Sequence, residues 1–119
     1  MKRILIADDE ASIRFILKEI LTSIDYELYE ACDGEEALKL SLKIKPDILI
    51  LDISMPKLTG YEVAEKLKES KSNTKIIMLS AKAQKQDIER GLRAGAQAYL
   101  TKPFDLNQLL STISNVTTS

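Results

Sequence analysis

The sequence predicts an α/β fold in which helices cover both faces of a parallel, five-stranded sheet. Short apolar segments alternate with amphipathic segments along all 119 residues, which is typical of repeated strand–helix units. The segment DILIL at 47–51 is apolar without polar alternation after its first residue. Such a run is expected for a strand that is buried on both faces, as the strands of a parallel sheet are.

Five segments rich in aliphatic residues are the predicted strands. They are 3–7 (RILIA), 27–31 (ELYEA), 47–51 (DILIL), 75–79 (KIIML) and 97–101 (QAYLT). Because crossovers between parallel strands are right-handed, this pattern in a chain of 119 residues favours a doubly wound, flavodoxin-like (βα)5 fold with the strand order 2-1-3-4-5. We expect one domain over residues 1–119.

The first two predicted helices follow from apolar spacing and a capping pattern. The first helix carries apolar residues at the helical intervals i, i+3, i+4 and i+7. These residues are Ile13, Ile16, Leu17, Ile20, Leu21 and Ile24. Asp33 and Glu36 fit a capping box that begins the second helix, and Pro46 helps to end it.

Three further helices are predicted in the second half of the chain. YEVAEKLKES supplies the third helix, with Val63, Ala64 and Leu67 facing inward, and QDIERGLRAG supplies the fourth, with Gly91 inside it and Gly95 at its C-terminal cap. The fifth helix has an apolar stripe. The stripe consists of Leu106, Leu109, Leu110, Ile113 and Val116. The final residues VTTS are expected to fray.

Composition restricts the class of protein. Hydrophobic residues make up 45% and charged residues 29%, as in a soluble globular protein, and the dispersed net charge of −1 argues against direct nucleic-acid binding. No apolar run approaches the ~20 residues of a membrane span, and the acidic start is unlike a signal peptide. Cys32 is the single cysteine and the chain has no histidine, which excludes a Cys–His nucleophile or zinc site. We expect Cys32 to be a buried apolar residue in a reducing cytoplasm.

Polar residues follow the predicted strands at one edge of the sheet. Ligands of doubly wound sheets bind beyond the carboxyl ends of the strands at the switch point, here between strands one and three. Asp8 and Asp9 follow strand one, and Asp52 follows strand three. Ser80 ends strand four, and Lys102 ends strand five. The sequence therefore predicts that these residues lie close together.

These residue types point to phosphoryl chemistry. Three carboxylates at one point repel each other and need a cation, and hard oxygen ligands select Mg²⁺, with Mn²⁺ as an alternative. Lys102 and the hydroxyl of Ser80 suit a phosphate, and an aspartate beside a metal and a lysine can attack phosphorus to give an acyl phosphate. A single Asp after a strand is more often a helix cap, but folding alone does not explain all of these placements. Asp52 is the predicted phosphoacceptor.

Four segments carry a family resemblance. ILIADDE, PDILILDISMPKLTGYE, IIMLSA and GAQAYLTKPF resemble the receiver domain of two-component response regulators, of the single-domain type found in chemotaxis and sporulation relays. The resemblance implies that Asp52 accepts the phosphoryl group. It also implies that Asp9, Asp52 and the backbone carbonyl of Ser54 ligate Mg²⁺ directly, while Asp8 acts mostly through water.

The resemblance assigns further roles on the same edge. Ser80 and the backbone N–H of Ala81 would hold the phosphoryl group, and Lys102 would pair with a phosphoryl oxygen. The bond between Lys102 and Pro103 would be a cis peptide, which proline permits. Tyr99 would be the switch aromatic, whose ring turns inward when Ser80 moves toward the phosphate.

The resemblance also implies partners and a mode of action. A sensor histidine kinase or a phosphotransfer protein would donate the phosphoryl group, and a downstream effector protein would bind the face formed by helix four, strand five and helix five. The protein would be a phosphoacceptor rather than an enzyme, cytoplasmic, monomeric or weakly dimeric, with no direct contact to nucleic acid or membrane.

Three alternatives stay open from the sequence. We expect a diffusible regulator or relay intermediate, but the chain could also be a receiver excised from a larger regulator with a DNA-binding or enzymatic output. A Mg²⁺-dependent aspartyl-phosphate phosphatase of the haloacid dehalogenase type would need a second acid at the position of Ser54. A flavodoxin-like cofactor binder would need a phosphate cradle after strand one, where ADDEAS is acidic.

Overall fold

The computed structural model describes residues 2–118, and in this range five strands alternate with five helices. The strands are β1 (Lys2–Ala7), β2 (Tyr26–Ala31), β3 (Ile48–Asp52), β4 (Lys75–Ser80) and β5 (Ala98–Thr101). The helices are α1 (Ala11–Leu21), α2 (Gly34–Ile44), α3 (Gly60–Glu69), α4 (Lys85–Ala94) and α5 (Leu106–Thr117). The predicted order of elements is confirmed, with boundaries that differ by a few residues at most.

The sheet is parallel with the strand order β2-β1-β3-β4-β5, which confirms the doubly wound, flavodoxin-like class. Ala7, the last residue of β1, pairs with Ala31 of β2 and with Leu51 of β3. The carboxyl ends of these strands therefore lie at one level. The chain leaves β1 toward β2 on one side and later enters β3 on the other, so the switch point lies between β1 and β3.

The core has two layers because side chains alternate between the faces of each strand. In β3, Leu49 and Leu51 pack in the layer that α2, α3 and α4 cover, while Ile48 and Ile50 pack in the layer that α1 and α5 cover. All residues of β3 are buried, as the unbroken apolar run predicts. A buried central strand fixes the position of Asp52 at its end.

Helix caps account for several element boundaries. The Asp33 carboxylate accepts the Glu36 N–H at 2.8 Å, but the Glu36 carboxylate accepts the N–H of Cys32 rather than that of Asp33. The predicted capping box of α2 is thus only half formed. Thr59 and Glu62 form a complete capping box at α3, which was not among the predicted caps. This box fixes where the loop after β3 ends.

Three predictions of burial were wrong. Ile16 is 46% exposed and Leu106 is 49% exposed, although both belong to predicted apolar stripes. Successive helical residues are ~100° apart, so Leu17 can face the sheet fully while Ile16 lies at the margin of the stripe. Cys32 is also exposed, because it lies in the loop after the edge strand β2.

The C-terminal helix is longer than expected. The residues VTTS were expected to fray, but α5 continues to Thr117, and the Thr118 N–H donates to the Ser114 carbonyl at 3.2 Å. Ser119 lies outside the described residues. A search of the described helices finds none with the length and apolar character of a membrane span.

Candidate functional site

Asp8 is a buried carboxylate directly after β1. It is 1% exposed, and its backbone N–H extends the pairing with β2 by donating to the Ala31 carbonyl. Its Oδ1 accepts the Glu10 N–H at 2.9 Å, which fixes the turn that leads into α1. Its backbone carbonyl accepts a hydrogen bond from the Arg14 guanidinium at 2.7 Å. Asp8 is therefore held in position by β1, by the turn and by α1.

Lys102 connects the two buried carboxylates of the site. Its Nζ donates to Oδ2 of Asp8 at 2.9 Å and lies 3.6 Å from Oδ1 of Asp52. Burial alone would lower the pKa of Lys102, but the hydrogen bond that Lys102 donates to Asp8 and the negative charge of Asp52 outweigh burial, and the net shift is upward. The lysine is thus held in its charged form, as a fixed positive charge beside Asp52.

Asp52 is the last residue of β3 and is 5% exposed. Burial raises its pKa to about 6, the negative charge of Asp8 adds to this shift, and the positive charge of Lys102 opposes it. A carboxylate with a raised pKa beside a fixed lysine is a common feature of reactive sites, although ion-pair networks produce it too. The structure brings Asp8, Asp52 and Lys102 together, as the sequence predicts.

A second group of carboxylates lies on the solvent side of Asp8. Asp8, Asp9 and Glu10 each offer an oxygen within 4.8 Å of the others. Asp9 and Glu10 are exposed. Clustered carboxylate oxygens open to water are donors that suit Mg²⁺, since Mg²⁺ keeps several of its waters, but among the described residues this group does not include Asp52, which was a predicted ligand. Glu10 was not among the predicted ligands, although the run of acids in ADDE was a signal for it.

The loop after β3 lies against the backbone of Asp52. Gly60, the first residue of α3, donates its N–H to the Ile53 carbonyl at 2.9 Å. A Cβ atom at this position would lie 2.5 Å from the Asp52 carbonyl oxygen, so only glycine allows so close an approach. Ser54 is exposed in this loop, whereas Met55 is 7% exposed and belongs to the core. Met55 thus acts as an apolar plug under the loop.

The end of β4 lies next to the end of β5. Ser80 is 2% exposed, and its Oγ accepts the Lys82 N–H at 3.1 Å, while Ala81 is exposed. The Lys102 N–H donates to the Ser80 carbonyl at 2.8 Å, which aligns the two strand ends. The peptide bond between Lys102 and Pro103 is cis. Ser80 and Lys102 therefore share the rim with Asp52.

Tyr99 lies beside the loop that follows Ser80. It pairs with Met78 in the sheet, two positions before the partner of Ser80, and its hydroxyl donates to the Lys82 carbonyl at 2.7 Å. Burial raises the pKa of Tyr99 to about 12. The ring also lies close to Gly91 of α4, where an added Cβ would come within 2.9 Å of it. Tyr99 therefore contacts both the loop and α4.

The fold and the site together define a doubly wound α/β protein with a lysine between two buried carboxylates at its switch point, and comparison with known proteins identifies the family. The model of the response regulator receiver domain matches residues 4–114. The chain therefore belongs to the response regulator receiver domain family. It is 46% identical over 103 residues to the alkaline phosphatase synthesis transcriptional regulatory protein PhoP of Bacillus subtilis, a match over 87% of this chain and 43% of the relative.

Other relatives and solved structures agree with this family assignment. The chain is 43% identical over 113 residues to the transcriptional regulatory protein PdtaR of Mycobacterium tuberculosis, over 94% of this chain and 55% of the relative. The chemotaxis protein CheY4 of Vibrio cholerae superposes with a TM-score of 0.89 at 34% identity, over 98% of each chain. A chain of the CheX–CheY–BeF3–Mg²⁺ complex of Borrelia burgdorferi reaches 0.92 at 32% identity, over 97% of this chain and 88% of that one. The chain spans about half the length of the curated relatives it matches.

Proposed function

We propose that this receiver domain accepts a phosphoryl group on Asp52 from a histidine kinase or a phosphotransfer protein. The observation that carries the proposal is the placement of Lys102, whose Nζ lies between the buried carboxylates Asp8 and Asp52. A lysine in this position can bind a phosphoryl oxygen next to the nucleophile, because it is a compact cation with several donors. Asp9 and Glu10, which are exposed next to Asp8, would supply oxygen ligands for a metal.

The chemical step is an attack by a carboxylate on phosphorus. An Oδ atom of Asp52 forms a bond to the phosphorus of a phosphohistidine, while the bond from phosphorus to the imidazole nitrogen breaks and the imidazole takes up a proton. Lys102 would move from Asp52 toward a phosphoryl oxygen, and Ser80 and the Ala81 N–H would bind the others. We regard the protein as the acceptor in this transfer and not as a general enzyme.

Mg²⁺ would be held by Asp9, Asp52 and the backbone carbonyl of Ser54, with Asp8 acting through water. When bound, the ion would offset the negative charge that Asp52 and the phosphoryl group bring together. The complex from Borrelia burgdorferi, which contains a similar chain, includes BeF3 and Mg²⁺ and is consistent with a metal-dependent site here. Glu10 is a further candidate, since its carboxylate lies in the same group as those of Asp8 and Asp9.

The output would pass from Ser80 through Tyr99 to the face formed by α4, β5 and α5. Tyr99 contacts both the loop after Ser80 and helix α4, so a movement at Ser80 reaches this face through one ring. We propose that a downstream effector protein binds this face and that the chain acts in the cytoplasm as a monomer or weak dimer. The presence of CheX with CheY in the Borrelia burgdorferi complex is consistent with a protein partner.

Intact-mass analysis after incubation with acetyl phosphate tests the acceptor. The wild type should gain the mass of one phosphoryl group when Mg²⁺ is present and none in EDTA. Asp52→Asn should gain none under either condition, whereas Asp25→Asn, an exposed acid outside the site, should behave as the wild type does. Equal labelling of Asp52→Asn and the wild type would show that another residue is the acceptor.

A second candidate function is the control of a DNA-binding output. The curated relatives are described as transcriptional regulators, and this chain matches only about half of their length. In that case the same α4–β5–α5 face would act on a further part of a longer protein. The reading frame of the gene beyond Ser119 distinguishes the candidates, because a DNA-binding segment encoded there would support the second one.

A further inference from the structure

The end of the sheet opposite Asp52 holds a basic cavity that the proposed function does not use. It has a volume of about 510 Å³ and lies where the amino ends of β1 and β4 meet the C-terminal ends of α2 and α3. This volume falls within the usual range of small-ligand sites. Four lysines line the cavity. They are Lys2, Lys45, Lys71 and Lys75.

The charge in the cavity is unbalanced. Asp47 is the one carboxylate among the lining residues, and its Oδ2 accepts the Arg3 N–H at 2.8 Å. Within residues 2–118, no ion pair includes any of the four lysines. Lysines near helix C-termini also complement the helix dipole, which accounts for Lys45 and Lys71. That role does not account for Lys2 and Lys75, which begin strands.

Backbone geometry supports a role for two of these lysines. Lys45 and Lys71 have φ angles of 49° and 58°, in the left-handed region where glycine or asparagine is favoured. A lysine at such a position costs conformational energy that glycine would avoid. The strain is therefore consistent with a function for the side chain, since strained residues cluster at functional sites.

A buried hydroxyl lies in the wall of the cavity. Ser41 lines the cavity and is 2% exposed, and its Oγ has no hydrogen-bond partner in the described part of the chain. The Oγ atom is also closed to water-sized molecules, so an anion in the cavity would reach it only after a rearrangement of the wall. Further polar side chains line the cavity, including those of Asn73 and Ser72.

We propose that this cavity binds a small anion that carries two or more linked phosphate groups. Four lysines against one carboxylate favour a multiply charged anion, and the hydroxyl and amide groups suit phosphate oxygens. No aromatic residue is among the lining residues, so the cavity offers no surface on which a nucleotide base could stack. The diphosphate group itself, rather than a base, is the recognised part.

Binding of inorganic pyrophosphate, followed by amide chemical shifts in EDTA, tests the proposal. We expect saturable shifts at residues 41–47 and 70–75, with the residues around Lys102 unaffected. ADP should bind no more tightly than pyrophosphate. Sodium chloride at equal ionic strength should not reproduce the shifts.

Matched glycine variants make the test specific. Lys45→Gly and Lys71→Gly relieve the left-handed strain, so they should fold, but each should weaken pyrophosphate binding by about tenfold or more. Lys57→Gly is the control, because Lys57 also has a left-handed φ of 74° but does not line the cavity. Unchanged affinity in both cavity variants, shifts centred on Lys102, tighter binding of ADP, or no saturation would each overturn the proposal.

Discussion

Lys102 holds two buried carboxylates close together at the edge of the sheet. Its Nζ lies 2.9 Å from Asp8 and 3.6 Å from Asp52, yet the pKa of Asp52 is still raised to about 6. The single positive charge therefore does not compensate fully for burial and for the charge of Asp8. The ionised form of Asp52 is unfavourable in the folded, metal-free protein, as expected where function conflicts with stability.

Asp52→Asn should raise the free energy of unfolding in EDTA. A carboxyl whose folded pKa lies above its unfolded value of about 3.8 gives stability below that value, and this stability is lost as the pH rises through about 6. The free energy of unfolding of the variant should therefore be about 1–3 kcal/mol higher than that of the wild type at neutral pH, and the difference should be smaller near pH ~4. Urea unfolding between pH ~4 and neutral pH, with Asp25→Asn as the control, measures this difference. A variant less stable than the wild type at neutral pH would identify Asp52 as a satisfied structural acid.

Ser80→Ala tests whether Ser80 couples the phosphoryl site to Tyr99. The variant lacks the hydroxyl but retains Asp52, Lys102 and the metal acids, so it should still accept a phosphoryl group. Because a packed site has discrete arrangements, phosphorylation should shift the population of Tyr99 conformers in the wild type and much less in the variant. Amide shifts of residues 84–110, with and without a phosphoryl mimic, measure this. A full response in Ser80→Ala would show that coupling runs through Lys102 or the loop.

Helix α4 approaches the sheet closely at Gly91. A Cβ atom there would lie 2.8 Å from Sδ of Met78 and 2.9 Å from Cδ2 of Tyr99, so the absence of a side chain allows the helix to pack against the ring. Glycine inside a helix costs about 1 kcal/mol relative to alanine. The close contact with Tyr99 offers a reason for a residue that weakens the helix itself.

Gly91→Ala should lower stability in spite of the gain in helix propensity. Overpacking of this kind costs about 1–3 kcal/mol, which exceeds the propensity gain of about 1 kcal/mol, and it should also displace the Tyr99 ring. Urea unfolding and the ring-proton shifts of Tyr99 measure the two effects. In a Tyr99→Ala background the loss should be smaller, because part of the clash is gone. An equal loss in both backgrounds would place the strain at Met78 instead.

At the scale of the whole molecule, the fold and much of the site could be predicted from the sequence. The unbroken apolar run of β3 indicates a strand buried on both faces, and parallel strands must present their ends at one edge. Asp8, Asp52, Ser80 and Lys102 meet there for that reason. The exposure of residues at the edges of an apolar helix stripe could not be predicted, because helical periodicity does not determine how wide the buried stripe is. Ile16 and Leu106 lie at such edges. The position of the Glu10 carboxylate beside Asp8 and the hydrogen-bond partner of Glu36 depend on side-chain geometry, which the sequence pattern does not specify.

The carboxylates at this edge of the sheet should make the free energy of unfolding depend on Mg²⁺. A ligand that binds only the folded state raises the free energy of unfolding by RT ln(1 + [L]/Kd), which is about 1.4 kcal/mol at ten times Kd. Asp9→Asn removes one proposed ligand, so most of this gain should disappear, while Glu65→Gln on the exposed side of α3 should keep it. Urea unfolding at a series of Mg²⁺ concentrations gives the dependence. Equal Mg²⁺ gains in Asp9→Asn and Glu65→Gln would exclude Asp9 as a ligand and move the ion toward Glu10 or Asp8.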